Sequence, residues 1–531
     1  MTTGTGSSTG AAGKGKFLVL AAMIFAVSMT FIDMTIVSIA VPELQQDLHL
    51  SSTGVQWVVN AYLLSLAALF AFGGRVGDVV GHKKMVLLGV VVFATASTLC
   101  GLTPTGGAAE PWIITFRAVQ GLGAALMFPA ALAIVVASFP FAERGRAMAV
   151  FFAVAGGLTA VGPLLGGVLS EWTWRSIFWV NIPVAIIAVV LTLMSKPVDT
   201  HVRAKIDLVG LVLITGGMGL AILGLQQSSD WGWTNPLTWG CIIVGLALLV
   251  AFFLFERATP VPLIDVAIFK IRAFFVENLV LFTSMIVFIP IFFFASMYAQ
   301  IALGMSASNA GLYLLTFFAG FAPAAQIGGR MLDERGAKPA VVIGAAVSAV
   351  GFFLWAGKAT DIDGGLGAQW WTIVIAGAGL GMLVGPSNTD AINRASDSSY
   401  GEATGVTQTV RNFGSALGMA VLGSVLIAAN RSNIESTLGG FGIDKGTADQ
   451  VAQSLSQSSG GSSEGFGSQV PADQQQKLFE AVQGDFAQSI QLILHCMAGV
   501  MAVAAVIALI GLQRGKQAAP VEDPSATPAV P

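Results

Sequence analysis

Long apolar runs, separated by short polar or glycine-rich stretches, dominate the pattern along this chain. A hydrocarbon core about 30 Å thick needs about 20 residues of α-helix at about 1.5 Å each. Fourteen runs reach that length, and they predict an all-α polytopic membrane protein. The predicted spans are 17–41, 54–74, 85–103, 111–137, 146–170, 174–195, 206–226, 237–255, 274–297, 308–328, 339–357, 370–390, 404–428 and 489–512.

The positive charges indicate how these spans are oriented. If the N-terminus is cytoplasmic, 19 of the 26 Lys and Arg residues fall in cytoplasmic loops or tails. Lys and Arg accumulate on that side of a membrane protein, so the bias predicts an even number of spans with both termini in the cytoplasm. The first apolar run is too long for the core of a cleavable signal peptide.

The same pattern divides the chain into a tail, a first bundle, an insertion, a second bundle and a second tail. The second bundle contains a long extracellular loop rich in Ser, Gly and Gln, in which only Pro471–Asp485 has an amphipathic pattern. The predicted units are a disordered N-tail at 1–16, a six-helix bundle at 17–196, two inserted helices at 197–272, a six-helix bundle at 273–512 with the loop at 429–488, and a disordered C-tail at 513–531.

An internal repeat relates the two bundles. Residues 73–83 and 328–338 both read G-G-R-x-x-D-x-x-G-x-K, and each follows the second helix of its bundle. Repeated halves are typical of transporters in which one half rocks against the other. The repeat is either a conformational latch of charged hydrogen bonds between helix ends or a static turn. The latch residues are Gly74, Arg75, Asp78, Gly81, Lys83, Gly329, Arg330, Asp333, Gly336 and Lys338.

Charged residues inside the spans are the candidates for chemistry, because a charge in a bilayer is costly. Asp33 and Arg117 both fall in the outer half of their spans, so they are candidate partners. The alternative is a purely structural ion pair. Glu277 and Asp390 lie near cytoplasmic span ends, where we expect surface anchoring, with Arg411 as a partner for one of them.

Small residues spaced one turn apart predict close helix packing. On the fifth span this spacing is found at Gly162 and Gly166, and on the thirteenth at Gly414 and Gly418. We interpret both pairs as the hinge and contact between the two halves. Ordinary helix packing is the alternative.

Several of these segments resemble conserved motifs of the major facilitator superfamily, and of its 14-span drug:proton antiporter family in particular. Residues 33–42 resemble motif D, except that Ser38 replaces the usual Asn. Residues 73–83 resemble motif A and residues 117–123 motif B. The core of motif C, which marks antiporters, is matched by Gly162, Pro163, Gly166 and Gly167, although Leu158 replaces a usual Gly.

The resemblance implies the major facilitator fold, with two six-helix bundles and two inserted helices. It also implies a proton-coupled antiporter that exports small amphipathic compounds by alternating access in a bacterial cytoplasmic membrane. Asp33 and Arg117 would then couple transport to the proton gradient, with no cofactor or metal. Tentative substrate-cavity residues are Trp57, Asn60, Tyr62, Gln120, Asn181, Phe288, Phe292 and Tyr298.

Other function classes fit less well. The net charge of −3 gives no general attraction for nucleic acid. Residues 10–16 approach a phosphate-binding loop, but Phe17 follows where Ser or Thr is required. No motif of a hydrolase or protease is present, so we expect a monomeric transporter in lipid rather than an enzyme. A dedicated exporter of one antibiotic, lipid or siderophore, and a non-transporting sensor, remain alternatives.

Overall fold

The computed structural model describes residues 8–139, 141–195, 207–260, 262–395, 400–440 and 472–515, and within these ranges it contains helices and no β-strand. The helices are α1 Ser8–Leu48, α2 Ser52–Val80, α3 His82–Gly101, α4 Ala109–Ser138, α5 Phe141–Ser170, α6 Ser176–Ser195, α7 Leu208–Trp231, α8 Pro236–Ala258, α9 Arg272–Ala302, α10 Ala307–Arg335, α11 Ala337–Ala356, α12 Gly365–Arg394, α13 Tyr400–Gly440 and α14 Ala472–Gly511.

The predicted all-helical membrane fold is confirmed. Thirteen helices of the described chain are long and apolar enough to cross a membrane. The remaining one, α5, is 30 residues long and carries a shorter apolar stretch at Gly157–Ser170. Two helices are interrupted: α6 at Val180, and α9 at Ile289, after which α9 ends in a π-helical turn.

The repeat in the sequence is also a repeat in the local structure. Ser51 caps α2 by accepting a hydrogen bond from the Gly54 backbone, and Ser306 caps α10 in the same way. Both helices end at a glycine with positive φ, 111° at Gly81 and 85° at Gly336. An L-residue with a side chain adopts such angles only at a cost, so the third glycine of each loop motif is needed for the turn.

The helices pack as two similar halves with a hairpin beside them. In the first half α2 and α3 pack on α4, and α5 packs on α1; in the second half α10 and α11 pack on α12, and α13 packs on α9. The halves meet along two seams, α2 with α13 and α5 with α10. The inserted helices α7 and α8 pack on each other, and α7 also contacts both α2 and α13.

The two ends of the molecule differ in the segments they carry. The loop-motif end carries residues 75–83 and 330–338, and the opposite end carries the turns from α1 to α2, α3 to α4 and α5 to α6. The bilayer orientation derived from Lys and Arg stays a prediction.

The helices extend further than the apolar runs. α1 begins at Ser8, inside the predicted tail. α13 continues to Gly440 and α14 begins at Ala472, so the helical part of the predicted long loop is larger than expected, while 441–471 lie outside the described residues. The two extensions pack together: Ile434 and Leu438 are buried, and Thr437 Oγ1 donates to Asp485 Oδ1 at 2.9 Å. Contacts between the two helices therefore continue beyond the apolar runs.

Candidate functional site

Asp33, Arg117 and Gln120 form a closed hydrogen-bonded group inside the first half. Arg117 Nη1 lies 2.6 Å from Asp33 Oδ2, and Gln120 Nε2 donates to Asp33 Oδ1 at 2.8 Å. Arg117 Nη1 also donates to Gln120 Oε1 at 2.7 Å, and its Nε donates to the Val58 carbonyl at 2.7 Å. The structure thus brings together the two charged residues that depth alone had paired.

The group is shielded from solvent on every side. Asp33 and Arg117 are each 1% exposed, and Gln120 is fully buried. The Tyr62 ring lies under the guanidinium, 4.5 Å from Arg117 Cζ to the ring centroid, and the Phe178 ring lies 6.0 Å away. Both the α2 turn that holds Val58 and the start of α6 are near the opposite end, so the group lies in that half of the bundle. Charged groups so deeply buried require pairing, which Asp33 and Arg117 supply to each other.

The motif C segment of α5 packs between the two halves. A Cβ added at Gly166 would lie 2.9 Å from the Ile36 carbonyl of α1, and one at Gly162 would overlap the Thr35 hydroxyl. A Cβ at Gly167 would instead lie 2.8 Å from the Ala307 carbonyl of α10. These glycines let α5 touch one helix of its own half and one of the other half.

A further contact joins the halves at the opposite end. Gln300 Nε2 donates to the Ile39 carbonyl at 2.8 Å, which connects α9 to α1. Together with the α5–α10 contact, it closes that end of the molecule.

Gly414 and Gly418 have a different position from the one expected. A Cβ at Gly414 would lie 2.6 Å from the Phe282 carbonyl, and one at Gly418 would overlap the Ile286 carbonyl, both on α9. The interpretation as a contact between halves is therefore wrong for this pair. Both pack α13 on α9 within the second half, and they are the counterpart of Gly162 and Gly166 packing α5 on α1.

The charges of the first loop motif make local contacts. Asp78 Oδ2 lies 3.9 Å from Arg75 Nη1, and Asp78 Oδ1 lies 3.5 Å from His82 Nε2. In the second motif, Lys338 Nζ donates to the Leu512 carbonyl at 2.9 Å. The contacts of Asp78 are thus within its own turn in this conformation. The latch stays a prediction for another state.

A cavity of about 450 Å³ opens beside the first loop motif. Its walls come from the inner parts of α2 and α4, from the α8–α9 linker and from the start of α13. The polar lining consists of Arg75, Asp78, His82 and Asp265, and the apolar lining includes Phe70, Pro129, Leu263 and Val406. The cavity therefore lies between the two halves at the loop-motif end, next to a buried cluster that contains Ala67 and Ala68 of α2 and Ala403 and Val406 of α13.

None of the eight tentative substrate residues lines this cavity. Tyr62 and Gln120 belong to the Asp33 group. The other polar members all have hydrogen-bond partners. Trp57 Nε1 donates to Gln227 Oε1 at 3.3 Å, and the side-chain amides of Asn60 and Gln226 lie 2.6 Å apart. Asn181 Nδ2 donates to Ser97 Oγ at 2.9 Å, and Tyr298 OH donates to the Ala359 carbonyl at 2.7 Å. Their role in substrate binding stays a prediction.

The two remaining members belong to an aromatic cluster of α9 and α10. Phe292 stacks on Phe318 with ring centroids 5.2 Å apart, and Phe288 stacks on Phe321 at 5.4 Å. Phe317 lies against both Phe288 and Phe292. The α10 members were not among the predicted cavity residues, although their spacing of one, three and four residues places them on one helix face.

Glu277 and Asp390 are buried rather than surface-anchored, so that expectation is wrong. Glu277 is fully buried and Asp390 is 3% exposed. Ser387 Oγ donates to Glu277 Oε2 at 2.5 Å, and Asp390 Oδ2 lies 2.6 Å from Arg394 Nε. Asp390 lies close to Glu277. The helix that carries Glu277, α9, packs against α12, α13 and α14, so neighbouring helices surround it.

Arg411 was expected to pair with one of these acids, and the structure contradicts this. Its Nη1 donates to the amide oxygens of Gln408 at 3.3 Å and Asn388 at 3.4 Å. The ion pairs found among the described residues do not include it. Depth along a helix does not tell which neighbour a side chain faces, so the lack of an acidic partner for Arg411 could not be predicted from sequence.

Comparison with known proteins accounts for this architecture. The chain is 32% identical over 418 residues to the tetracenomycin C resistance and export protein of Streptomyces glaucescens, covering 78% of this chain and 76% of the relative. It is 33% identical over 424 residues to the puromycin resistance protein pur8 of Streptomyces alboniger, covering 78% and 82%. A third relative, 33% identical over 404 residues and covering 73% and 81%, is the cephamycin export protein CmcT of Amycolatopsis lactamdurans.

Solved structures agree on the fold. A bacterial homolog of the human lysosomal transporter Spinster, in an inward-facing conformation, matches with a TM-score of 0.59 at 17% identity, over 94% of this chain and 97% of the other. The xylose transporter XylE from E. coli matches at 0.56 with 12% identity, over 95% and 100%. The family model of the Major Facilitator Superfamily covers residues 23–419. This chain therefore belongs to the Major Facilitator Superfamily and is a multi-pass membrane transporter, not an enzyme.

Proposed function

We propose that this transporter is a proton-coupled antiporter that exports small amphipathic compounds from a bacterial cytoplasm. Three relatives with resistance or export in their names support the direction and the kind of substrate. The Lys and Arg bias supports a cytoplasmic loop-motif end, with both termini in the cytoplasm. In that orientation the cavity beside Arg75 and Asp78 opens to the cytoplasm, where an exporter loads its substrate.

The single observation that carries proton coupling is the buried Asp33–Arg117–Gln120 group. Asp33 accepts one hydrogen bond on each carboxylate oxygen, from Arg117 and from Gln120. A proton on Asp33 would remove the negative charge and turn one of these acceptors into a donor, which weakens both contacts. Arg117 would still be held by the Val58 carbonyl and by Gln120 Oε1, so the guanidinium keeps its place.

Protonation therefore changes the packing of α1 on α4 without displacing α4 itself. α1 also carries Thr35, whose hydroxyl donates to the Thr159 carbonyl of α5 at 2.9 Å, and Ile39, whose carbonyl accepts from Gln300 of the second half. A shift of α1 is thus transmitted to both α5 and α9. This is the path by which we propose that proton binding at Asp33 opens the opposite end.

The test is a drug-susceptibility panel in an efflux-deficient bacterial host. The host expresses wild type, Asp33→Asn or Asp47→Asn at matched membrane levels. Asp47 is the matched control, because it lies on the same helix but pairs with Arg175 at the surface, with its side chain 47% exposed. We expect wild type and Asp47→Asn to protect against several unrelated amphipathic compounds, and Asp33→Asn to lose that protection.

Other outcomes would count against separate parts of the proposal. Equal protection by Asp33→Asn and wild type would mean that Asp33 does not couple transport to protons. Protection against one compound alone would favour a dedicated exporter, a reading supported by the two relatives named for the export of a single antibiotic. Absence of any protection by wild type would reject broad efflux.

A further inference from the structure

The second half contains a partly buried arginine that lacks a counterion in the described chain. Arg411 lies on the fourth turn of α13, and its Nε atom is buried without a hydrogen-bond partner. Its two contacts, with Gln408 and Asn388, are long and involve neutral amide oxygens. A cation in a spanning helix is costly unless an anion or several strong acceptors compensate it.

Arg117, in the first half, is an arginine whose charge is balanced by a carboxylate and by strong hydrogen-bond acceptors. Its guanidinium faces a carboxylate at 2.6 Å, an amide oxygen at 2.7 Å and a carbonyl at 2.7 Å. Among the described residues, the Arg411 guanidinium faces no carboxylate and makes no hydrogen bond shorter than 3.3 Å. The difference is therefore specific to Arg411 and is not a general property of buried arginines in this fold.

Nearby acids are already engaged elsewhere. Asp390 pairs with Arg394 at 2.6 Å, and Glu277 accepts from Ser387 and lies beside Asp390. These groups form a self-contained set on α9 and α12. They do not neutralise Arg411, whose own contact on α12 is the amide of Asn388.

The surroundings of Arg411 offer further groups for an acceptor-rich ligand. Gln408 Nε2 is buried without a partner, as is the hydroxyl oxygen of Thr407, and both residues share the helix face of Arg411. Arg411 and Gln408 together present unused N–H donors from adjacent turns of one helix. A site composed of a guanidinium and an amide donor is complementary to a carboxylate or a phenolate oxygen.

Arg411 lies on the same helix as two residues that line the cavity at the loop-motif end. Its side chain is only partly buried, although its Nε is fully enclosed. The cavity at the loop-motif end is lined by Gly405 and Val406 of the same helix. Gly405 is six residues before Arg411, which corresponds to about 9 Å along the helix axis. Arg411 thus lies about two turns deeper than that cavity.

We propose that Arg411, with Gln408 and Asn388, binds the acidic group of an amphipathic organic anion, so that the exported compounds include carboxylates or phenolates. This inference rests on the proposed export function for its biological meaning, but the binding itself requires no proton gradient. It predicts that charge, in addition to amphipathic character, decides which compounds bind.

The experiment measures equilibrium binding to the full chain in phosphatidylcholine nanodiscs. The probes are pyrenebutyrate, its uncharged methyl ester and a pyrenebutyl-trimethylammonium cation, which share one apolar body. The variants are Arg411→Gln, Arg411→Lys and, as a control, Arg335→Gln, which is exposed at the end of α10. Thermal unfolding of each variant in the same nanodiscs checks that it is folded.

We expect Arg411→Gln to weaken pyrenebutyrate binding by about tenfold or more and to leave the methyl ester within about twofold, because one charge-assisted contact is lost. Arg411→Lys should fall in between, since lysine keeps the charge but not the planar donor pair. Arg335→Gln should match wild type. The folded Arg411→Lys variant keeps the test decisive even if Arg411→Gln unfolds.

Three results would overturn the proposal. One is unchanged pyrenebutyrate affinity in both Arg411 variants, and another is an equal loss for the anion and the ester. The third is a loss of pyrenebutyrate binding in wild type when phosphatidylglycerol replaces phosphatidylcholine, since the anion at Arg411 would then be a lipid headgroup. Failure of the drug panel would instead reject export while leaving these binding data intact.

Discussion

The contact between Gly167 of α5 and the start of α10 gives a sharp test of how the two halves separate. A Cβ at Gly167 would lie 2.8 Å from both the Ala307 carbonyl oxygen and Ser308 Cα. The facing residue Gly311 is equally restricted, since its Cβ would lie 2.5 Å from the Pro163 carbonyl oxygen. The obstacles are backbone atoms on both sides, so no side-chain rotation can relieve them.

The change to make is Gly167→Ala. Overpacking against backbone costs about 1–3 kcal/mol. The strain exists only while α5 and α10 touch, so it disfavours the conformation that is closed at the opposite end. A cost of about 1–2 kcal/mol would change the ratio of closed to open molecules by a factor of about 5–30.

The control is Gly157→Ala on the same helix, where an added Cβ meets no atom within 4 Å. Both variants replace Gly by Ala and so gain the same helix propensity, up to about 1 kcal/mol. Comparing the two variants therefore isolates the effect of the contact with α10. Spin labels on exposed Thr105 and Thr360, in a background with Cys100, Cys241 and Cys496 replaced by Ala, report the distance between the halves at the opposite end.

We expect the distance distribution of Gly167→Ala to move toward longer values and that of Gly157→Ala to overlay wild type. If Gly167→Ala also overlays wild type, then α5 and α10 do not control closure. An equal shift in both variants would mean that α5 responds to helix propensity and not to contact with the other half.

Substitutions at three further positions test the packing of the second half. Tyr313→Phe removes the hydroxyl that donates to Gln369 Oε1 at 2.7 Å. The free energy of unfolding should fall by about 1–3 kcal/mol, which lowers the melting temperature. An unchanged melting temperature would contradict this prediction. Glu277→Gln keeps an acceptor for Ser387, so it should melt above Glu277→Ala, and equal melting would show that this hydrogen bond does not matter. Leu438→Ala removes a fully buried side chain and should destabilise the helical extension by about 2–5 kcal/mol. We expect faster amide hydrogen exchange across 430–440 and unchanged exchange in α5. Unchanged exchange across 430–440 would rule out this packing.

The paired charges of the first half could be predicted because two simple quantities determine them. Charge in the bilayer is costly, and counting residues from each end of a span gives depth. Asp33 and Arg117 share a depth, and the structure places them 2.6 Å apart. The all-helical membrane fold followed from hydropathy for the same reason, since length and composition mark thirteen of the described helices as able to cross a membrane.

Depth does not tell which direction a side chain faces around its helix. Asn60 was a candidate for the substrate cavity, yet its amide meets Gln226 of the inserted helix α7. Glu277 lies near a helix end, where solvent was expected, yet neighbouring helices cover it completely. Both outcomes depend on which helices become neighbours, and hydropathy contains no information on that choice.

The same limit applies to the helical extensions at the opposite end. The residues from 429 to 440 are mostly polar, so an apolar window ends before them. Ile434 and Leu438 nevertheless recur one turn apart and are buried in the structure. A search for helical periodicity, rather than for total apolar content, would have found this signal.

The inserted helix α7 is attached to both halves at neighbouring residues. Gln226 meets Asn60 of α2, and the adjacent Leu225 carbonyl accepts from Ser424 of α13 at 2.8 Å. Because α7 is hydrogen-bonded to both halves at neighbouring residues, there are two possibilities. Either these residues lie close to the axis about which the halves rotate, or one of the two hydrogen bonds breaks in every transport cycle. The seam of α2 and α13 therefore contains either the fulcrum of the transport movement or a contact that is remade at each turnover. The seam of α5 and α10 has no such attachment among the described contacts of α7, so the two sides of the transporter differ mechanically despite the repeat in the sequence.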